Sequence, residues 1–160
     1  MPPTLRRGCP LSCGNLRTPI RAHLRALPGI EQRLMPRIFF PHCGLIAISD
    51  EWLIQRADAL VCINMIHITP WAASKGLMTG AERVLPPGGV LYLYGPYRID
   101  DRHTAQSNED FDAWLRTQNA QWGVRDVAEV AGLAQRHAFS LTETVSMPAN
   151  NLSVVFERRP

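Results

Sequence analysis

Two short stretches of this 160-residue chain hold most of the side chains that could do chemistry. Asn64-Met65-Ile66-His67 offers an amide with donors and an acceptor, and an imidazole with one of each. Tyr94-Gly95-Pro96-Tyr97 offers two flat rings for stacking, each with a hydroxyl at its tip. A polar tail follows, from Arg98 through Asp100, Asp101 and Arg102 to His103. Each stretch comes at the end of an apolar run, and in open α/β sheets ligands bind beyond the carboxyl ends of the parallel strands. Position alone therefore marks both as one candidate site. A purely structural reading stays open beside it, with Asn64 capping a strand end and His67 hydrogen-bonding to the next loop.

The elements that must position these residues are legible from pattern. Asp58 to Ile63 is a continuous apolar run, suited to a strand covered on both faces. A helix follows, with Thr69 as N-cap, Pro70 at its first position and Ala73, Leu77, Gly80, Ala81 and Val84 on one face. Leu85-Pro86-Pro87-Gly88-Gly89 ends it, and Val90 to Tyr94 forms a second strand, parallel to the first through a right-handed crossover. Asn108 to Gln118 reads as a helix burying Phe111, Trp114 and Leu115, with Asn108, Asp110 and Asp112 on its solvated start. Val124 to His137 reads as another, starting at Arg125 and Asp126, with Val127, Val130, Ala131 and Ala134 inward. Leu141 to Met147 and Leu152 to Phe156 alternate around a five-residue loop, which predicts a closing β-hairpin. The order describes the second half of an open α/β sheet.

Composition narrows the function classes. At 46% hydrophobic the chain can bury a core, and no apolar run is long enough to span a bilayer. The net charge of +3 hides two unlike parts: residues 1–46 hold seven arginines against one acid, whereas ten basic residues face thirteen acids from Ala47 onward. A nucleic-acid footprint would rest on the first part alone, which lacks lysine and interleaved aromatics, so neither nucleic acid nor membrane is expected as a partner. Cys9 and Cys13 stand in C-x-x-x-C spacing without a second ligand pair, so no metal is expected. With Cys43 and Cys62 they suit a reduced, cytoplasmic protein.

The stretches DALVCINMIHITPW, GAERVLPPGGVLYLYGPYRIDDRHTAQSNEDFDAWLRTQNAQWGVRD and MPANNLSVVFERR resemble a methyltransferase-like family catalogued as domain of unknown function 938. That family includes the animal proteins named methyltransferase-like twenty-six. The L-x-P-G-G-x-L pattern at 85–91 is shared with class I S-adenosylmethionine-dependent methyltransferases; YGPY, the R-H-T at 102–104 and PANN narrow the likeness to this family. The resemblance covers 49–160 and implies the C-terminal half of a Rossmann-like seven-stranded sheet, with Ala59 to Ile63 its fourth strand and Val90 to Tyr94 its fifth. It implies S-adenosylmethionine as cofactor, with Asn64, Met65 and His67 beside its methionine end. Tyr94, Gly95, Tyr97, Arg102 and His103 would wall the acceptor side. Methyl transfer needs an aligned acceptor, excluded water and a group to take a proton, and His67 and His103 are the candidate bases. The acceptor, small molecule or protein, is not specified by any motif, and Trp71 and Trp114 read as packing residues.

One part of the superfamily pattern is missing. Its cofactor is held by an E-x-x-x-G-x-G turn after the first strand and an acidic residue after the second, and the chain has no G-x-G at all. Residues 22–31, AHLRALPGIE, resemble the family's approach to the second strand, but QRLMPRIFFPHC follows where the acid should stand. Seven prolines, seven arginines and no lysine in residues 1–46 are what shifted translation of a GC-rich gene produces, so an out-of-frame start joined to a genuine 47–160 half is expected. The function expected is a methyltransferase-like protein with impaired cofactor binding; a non-catalytic binding module or a truncated gene product is the alternative. Without first and second strands, Ala59 to Ile63 should lie at an exposed edge, and Ile38 to Phe40 should lack a partner.

Overall fold

The computed structural model describes the backbone of Ile38–Phe39, then Trp52 and residues 54–160, all within one compact unit, 36–160. The readings that fall on Cys9, Cys13, Cys43 and residues 1–37 lie outside the described residues.

Parallel pairing begins with β1 (Ile38–Phe39), which lies beside β2 (Ala59–Ile63) in the register Ile38 to Ala59 and Phe39 to Leu60. This corrects two expectations: the Ile38 fragment has a partner, and β2 is an interior strand over its first two residues. Helix α1 (Trp71–Val84) then carries the chain over to β3 (Val90–Gly95), parallel to β2 along its whole length. Pro70 rather than Thr69 is the residue at the helix N-cap, because the Thr69 hydroxyl is used elsewhere, donating to the Met65 carbonyl at 2.7 Å. The closing hairpin pairs β7 (Phe139–Met147) with β8 (Asn151–Arg158), and β8 runs antiparallel to β3, giving a five-stranded sheet in the order β1-β2-β3-β8-β7. Its loop is three residues, Pro148 to Asn150, with Ala149 and Asn150 both at positive φ.

One face of the sheet buries Leu60, Cys62, Leu91, Leu93, Val154 and Phe156 against α1 and α3 (Val127–Arg136). The other face is buried too, so β3 and β8 read as near-continuous apolar runs. Trp52 packs over Gly80 of α1, where a Cβ would collide with its indole. Edge strand β7 differs: most of it is exposed, with Ser, Thr and Glu side chains and a bulge between Leu141 and Glu143. The Pro-Gly-Gly turn is latched to β8, since Gly88 N–H donates to the Arg158 carbonyl at 2.8 Å and the Arg158 guanidinium caps α1 at the Glu82 and Leu85 carbonyls.

Between β3 and α3 the sequence reading needs more correction. A second, three-stranded sheet forms from β4 (Tyr97–Ile99), β5 (Arg102–His103) and β6 (Arg125–Asp126), in the order β5-β4-β6. Arg125 and Asp126 are therefore strand residues, and α3 starts at Val127 with Asp126 as N-cap, its side chain accepting from the Ala128 N–H at 2.8 Å. Asp100 and Asp101 make the two-residue β4–β5 turn with φ of 51° and 62°, the left-handed conformation that such turns require and aspartate tolerates. Helix α2 (Gln106–Gln118) buries Asn108, Asp112 and Leu115, while Trp114 is 54% exposed and stacks on the half-buried Phe111. Of the residues expected on a solvated start, Asp110 is exposed, but Asn108 and Asp112 lie on the packing face.

Candidate functional site

The post-β2 loop turns sharply at Asn64, which takes φ 56° and donates its N–H to the Tyr94 carbonyl at 2.8 Å. Its own carbonyl accepts from the His67 N–H at 3.1 Å, closing a turn that drives His67 inward. His67 is completely buried; its carbonyl accepts from Gly123 N–H at 2.9 Å and its Nδ1 from Arg125 N–H at 3.3 Å. Nδ1 as acceptor places the hydrogen of the neutral ring on Nε2. Burial, aided by the Arg125 charge, pushes the imidazole down to about 3, so it is neutral at physiological pH.

Arg125 is what fastens this loop, and the sequence reading missed it. Its guanidinium donates to the Ile66, Thr69 and Gln121 carbonyls at 3.0, 2.9 and 2.9 Å, and it sits 5.4 Å from the Trp71 ring centre. Five donors in a planar fork suit this task better than an ammonium would. Trp71 is thus a packing residue at the loop's mouth, as its type suggested. Met65 is buried beside Thr69, whose hydroxyl approaches both its carbonyl and its sulfur. Cys62, just before the loop, is a buried free thiol pushed up to about 12 by desolvation, which makes it inert.

At the end of β3, Gly95 permits a close approach that no other residue could. A Cβ there would stand 2.6 Å from His67 Nε2 and 2.8 Å from Asn64 Oδ1. Both of those atoms are buried, and neither has a hydrogen-bond partner among the described residues. Tyr94 and Tyr97, expected to stack on a ligand, are both buried. Tyr94 accepts a hydrogen bond at its hydroxyl from Asn151 Nδ2 at 3.2 Å. Tyr97 is part of the hydrophobic core and meets His67 edge-on, with ring centres 4.9 Å apart. Its face is covered, so it supports the site from beneath.

The remaining candidates lie on the β4–β5 hairpin. Arg102 is exposed, as are Asp100 and Asp101. His103 is mostly buried, with Nε2 3.7 Å from Asp112 Oδ2. Thr104 Oγ1 donates weakly to the Tyr97 carbonyl at 3.4 Å and accepts from Asn108 Nδ2, which also donates to the Asn150 carbonyl at 2.8 Å. YGPY, R-H-T and PANN, far apart in sequence, thus meet in one network through Tyr94–Asn151 and Thr104–Asn108–Asn150. Asn108 is the link that pattern reading lost, because a helix start rich in polar residues looks solvated. Asp112 was lost for the same reason.

The arrangement can recognise and hold a polar ligand, and it offers one half-open titratable pair. Among the described residues no group of three or more His, Cys, Asp or Glu is placed to hold a metal, and no helix is long and apolar enough to cross a membrane. For S-adenosylmethionine, the unpartnered Asn64 Oδ1 and His67 Nε2–H at the carboxyl ends of β2 and β3 are polar groups of the kind its amino and carboxylate groups need.

Solved structures support the fold. The chain is similar to human N-acetylserotonin methyltransferase in complex with SAM, at TM-score 0.62 and 13% identity, over 71% of this chain and 32% of that one. It is similar to an O-methyltransferase family 2 protein from Planctomyces limnophilus in complex with apigenin, at 0.61 and 17%, over 69% and 33%. An O-methyltransferase family protein from Burkholderia thailandensis matches at 0.59 and 18%, over 90% and 40%. The chain spans 32 to 40% of the length of these proteins, and at such identities the likeness establishes a Rossmann-like, class I methyltransferase fold. Residues 43–158 match the family described as "Protein of unknown function (DUF938)", and the chain belongs to that family.

Proposed function

We propose that this domain is the acceptor-side half of an S-adenosylmethionine-dependent methyltransferase. In that reading Asn64, Met65 and His67 flank the methionine end of the cofactor, while Tyr94, Gly95, Arg102 and His103 border the acceptor, with Tyr97 behind them. The observation that carries it is the pair of buried, unpartnered polar atoms, Asn64 Oδ1 and His67 Nε2, aimed at Gly95 where β2 and β3 end. When bound, the cofactor supplies an electrophilic methyl group on sulfur. The chain's own contribution is to orient the acceptor, exclude water and receive a proton. His67 is a neutral, buried support for the loop in this scheme and not the base, because a group titrating near 3 is a poor proton acceptor at neutral pH. A cytoplasmic location and kinship with the methyltransferase-like twenty-six proteins belong to the same proposal.

Cofactor affinity should be low in this chain, because no G-x-G sequence is present to bring backbone N–H groups against the ligand. Isothermal titration with S-adenosylmethionine tests this: a Kd weaker than about 100 μM is expected, corresponding to less than ~5.5 kcal/mol of binding free energy. Micromolar binding would show that the glycine turn is dispensable. If a full-length family member carrying E-x-x-x-G-x-G also failed to bind, the enzyme reading would be lost. The second reading, a non-catalytic binding module, is favoured by the same missing turn, and it predicts no cofactor binding with the fold intact.

A further inference from the structure

We propose that His103 and Asp112 form a positioned acid–base pair, in which Asp112 holds Nε2–H and leaves Nδ1 as the proton acceptor of the transfer. The proposal rests on the methyl-transfer reading above and selects between its two histidines. The geometry begins with Asp112, buried on α2. One of its oxygens, Oδ1, accepts from Val124 N–H at 2.6 Å. The other, Oδ2, accepts from Arg116 Nε at 3.0 Å and lies 3.7 Å from His103 Nε2. Burial alone would raise its titration point, but the bonds from Arg116 and Val124 and the neighbouring charges outweigh that and hold it below the ordinary carboxylate value. It is therefore ionised at neutral pH and fixed in direction.

A fixed carboxylate beside one ring nitrogen selects the tautomer that carries its hydrogen there. That nitrogen is Nε2, so the lone pair falls on Nδ1, which has no hydrogen-bond partner among the described residues. A spacing of 3.7 Å is long for a hydrogen bond, and pairs of this type tighten when substrate is bound. The His103 side chain keeps 19% of its surface exposed and its Nδ1, though buried, is unengaged, whereas His67 is sealed and its Nδ1 already accepts from Arg125 N–H. The charged groups near His103 are Asp112 and Arg116 on α2 and Arg98, its cross-strand partner on β4, which pairs with Asp101 at 3.6 Å. In the transfer, the acceptor heteroatom forms its bond to the methyl carbon while the methyl–sulfur bond breaks, leaving the electron pair on sulfur. The acceptor's proton passes to His103 Nδ1, and the resulting imidazolium is stabilised by Asp112.

Nitrogen-15 imidazole spectra of the full chain near neutral pH test the pair without any cofactor. Wild-type His103 should show a protonated Nε2 and an unprotonated Nδ1. Asp112→Asn, nearly isosteric and still able to accept from Val124 N–H, should convert this to a mixture of tautomers while His67 keeps its pattern. Arg116→Gln, which leaves the carboxylate in place, should retain the wild-type tautomer. A wild-type His103 protonated on Nδ1, or a tautomer unmoved by Asp112→Asn, overturns the pair; if that variant fails to fold, the wild-type spectrum decides alone. Failure of a full-length family member carrying E-x-x-x-G-x-G to bind the cofactor in calorimetry would remove the methyl-transfer reading and leave these spectra unchanged, so the two ideas fail separately.

Discussion

The loop after β2 and the β4–β5 hairpin each present a histidine at the same end of the molecule, and they treat it in opposite ways. His67 is sealed among Tyr97, Gly95 and backbone groups, with Arg125 N–H on its Nδ1 and the Arg125 guanidinium tying the surrounding carbonyls together. His103 lies against a carboxylate with part of its ring in water. The difference teaches that immobility and reactivity are set by different partners. Backbone dipoles and desolvation hold a ring in place while costing it its charge; a carboxylate at a partly wet boundary orients a ring without sealing it.

The largest expected effect exploits that contrast through pH. His67 is pushed from its ordinary 6.5 down to about 3, first by burial and then by Arg125. The unfolded chain therefore binds this proton more readily than the folded one between about 6.5 and 3, so stability falls as pH falls through that window. The slope approaches ~1.4 kcal/mol per pH unit for one proton. Urea denaturation of wild type from pH 8 to 4, beside His67→Phe, which keeps the ring but cannot titrate, should show that slope diminished in the variant. An equal slope in both would mean that His67 is not the sealed residue described.

Next comes Gly95→Ala, whose Cβ has to displace His67 Nε2 and Asn64 Oδ1, neither held by a flexible chain end. A loss of about 2–3 kcal/mol is expected by denaturant titration, with the hairpin's resonances little changed. A neutral outcome would show that the loop yields, contrary to the clamp that Arg125 provides. The smallest effect belongs to the hairpin's anchor. Asp126 caps α3 through Oδ1 and accepts from the Asp101 N–H at 2.8 Å through Oδ2. Asp126→Ala should cost about 1–2 kcal/mol and shift the Arg102 and His103 amide resonances, leaving His67 unmoved. Equal shifts at both histidines would mean that the two regions are coupled rather than separate.

Much of the frame was legible because it obeys periodicity. The run through β2, the α1 face of Ala73, Leu77, Gly80, Ala81 and Val84, the Pro-Gly-Gly stop and the closing hairpin all follow from apolar spacing and turn residues. What failed were polar residues whose burial depends on distant partners. Asn108 is buried because Thr104 and the Asn150 carbonyl take its amide hydrogens, and Asp112 because Val124 and Arg116 donate to it. Arg125 reads as a charged helix start until the Ile66 and Thr69 carbonyls of a distant loop join that of Gln121 on it. No local window contains the distant partners, Asn150, Val124, Ile66 and Thr69, so no local window predicts the burial.

By itself, the sequence determined the order and type of the main elements, and that Asn64, His67, Tyr94 and Gly95 fall at strand ends, because these depend on spacing between neighbours along the chain. It also determined that no G-x-G turn is present. Only the tertiary structure decided which of those residues are open and which sealed: that Tyr97 supports rather than faces the site, that His67 is neutral while His103 meets Asp112, and that Ile38–Phe39 pairs with β2. Protonation and exposure depend on desolvation and on charges brought within a few ångströms from remote positions, and those distances exist only once the chain has folded.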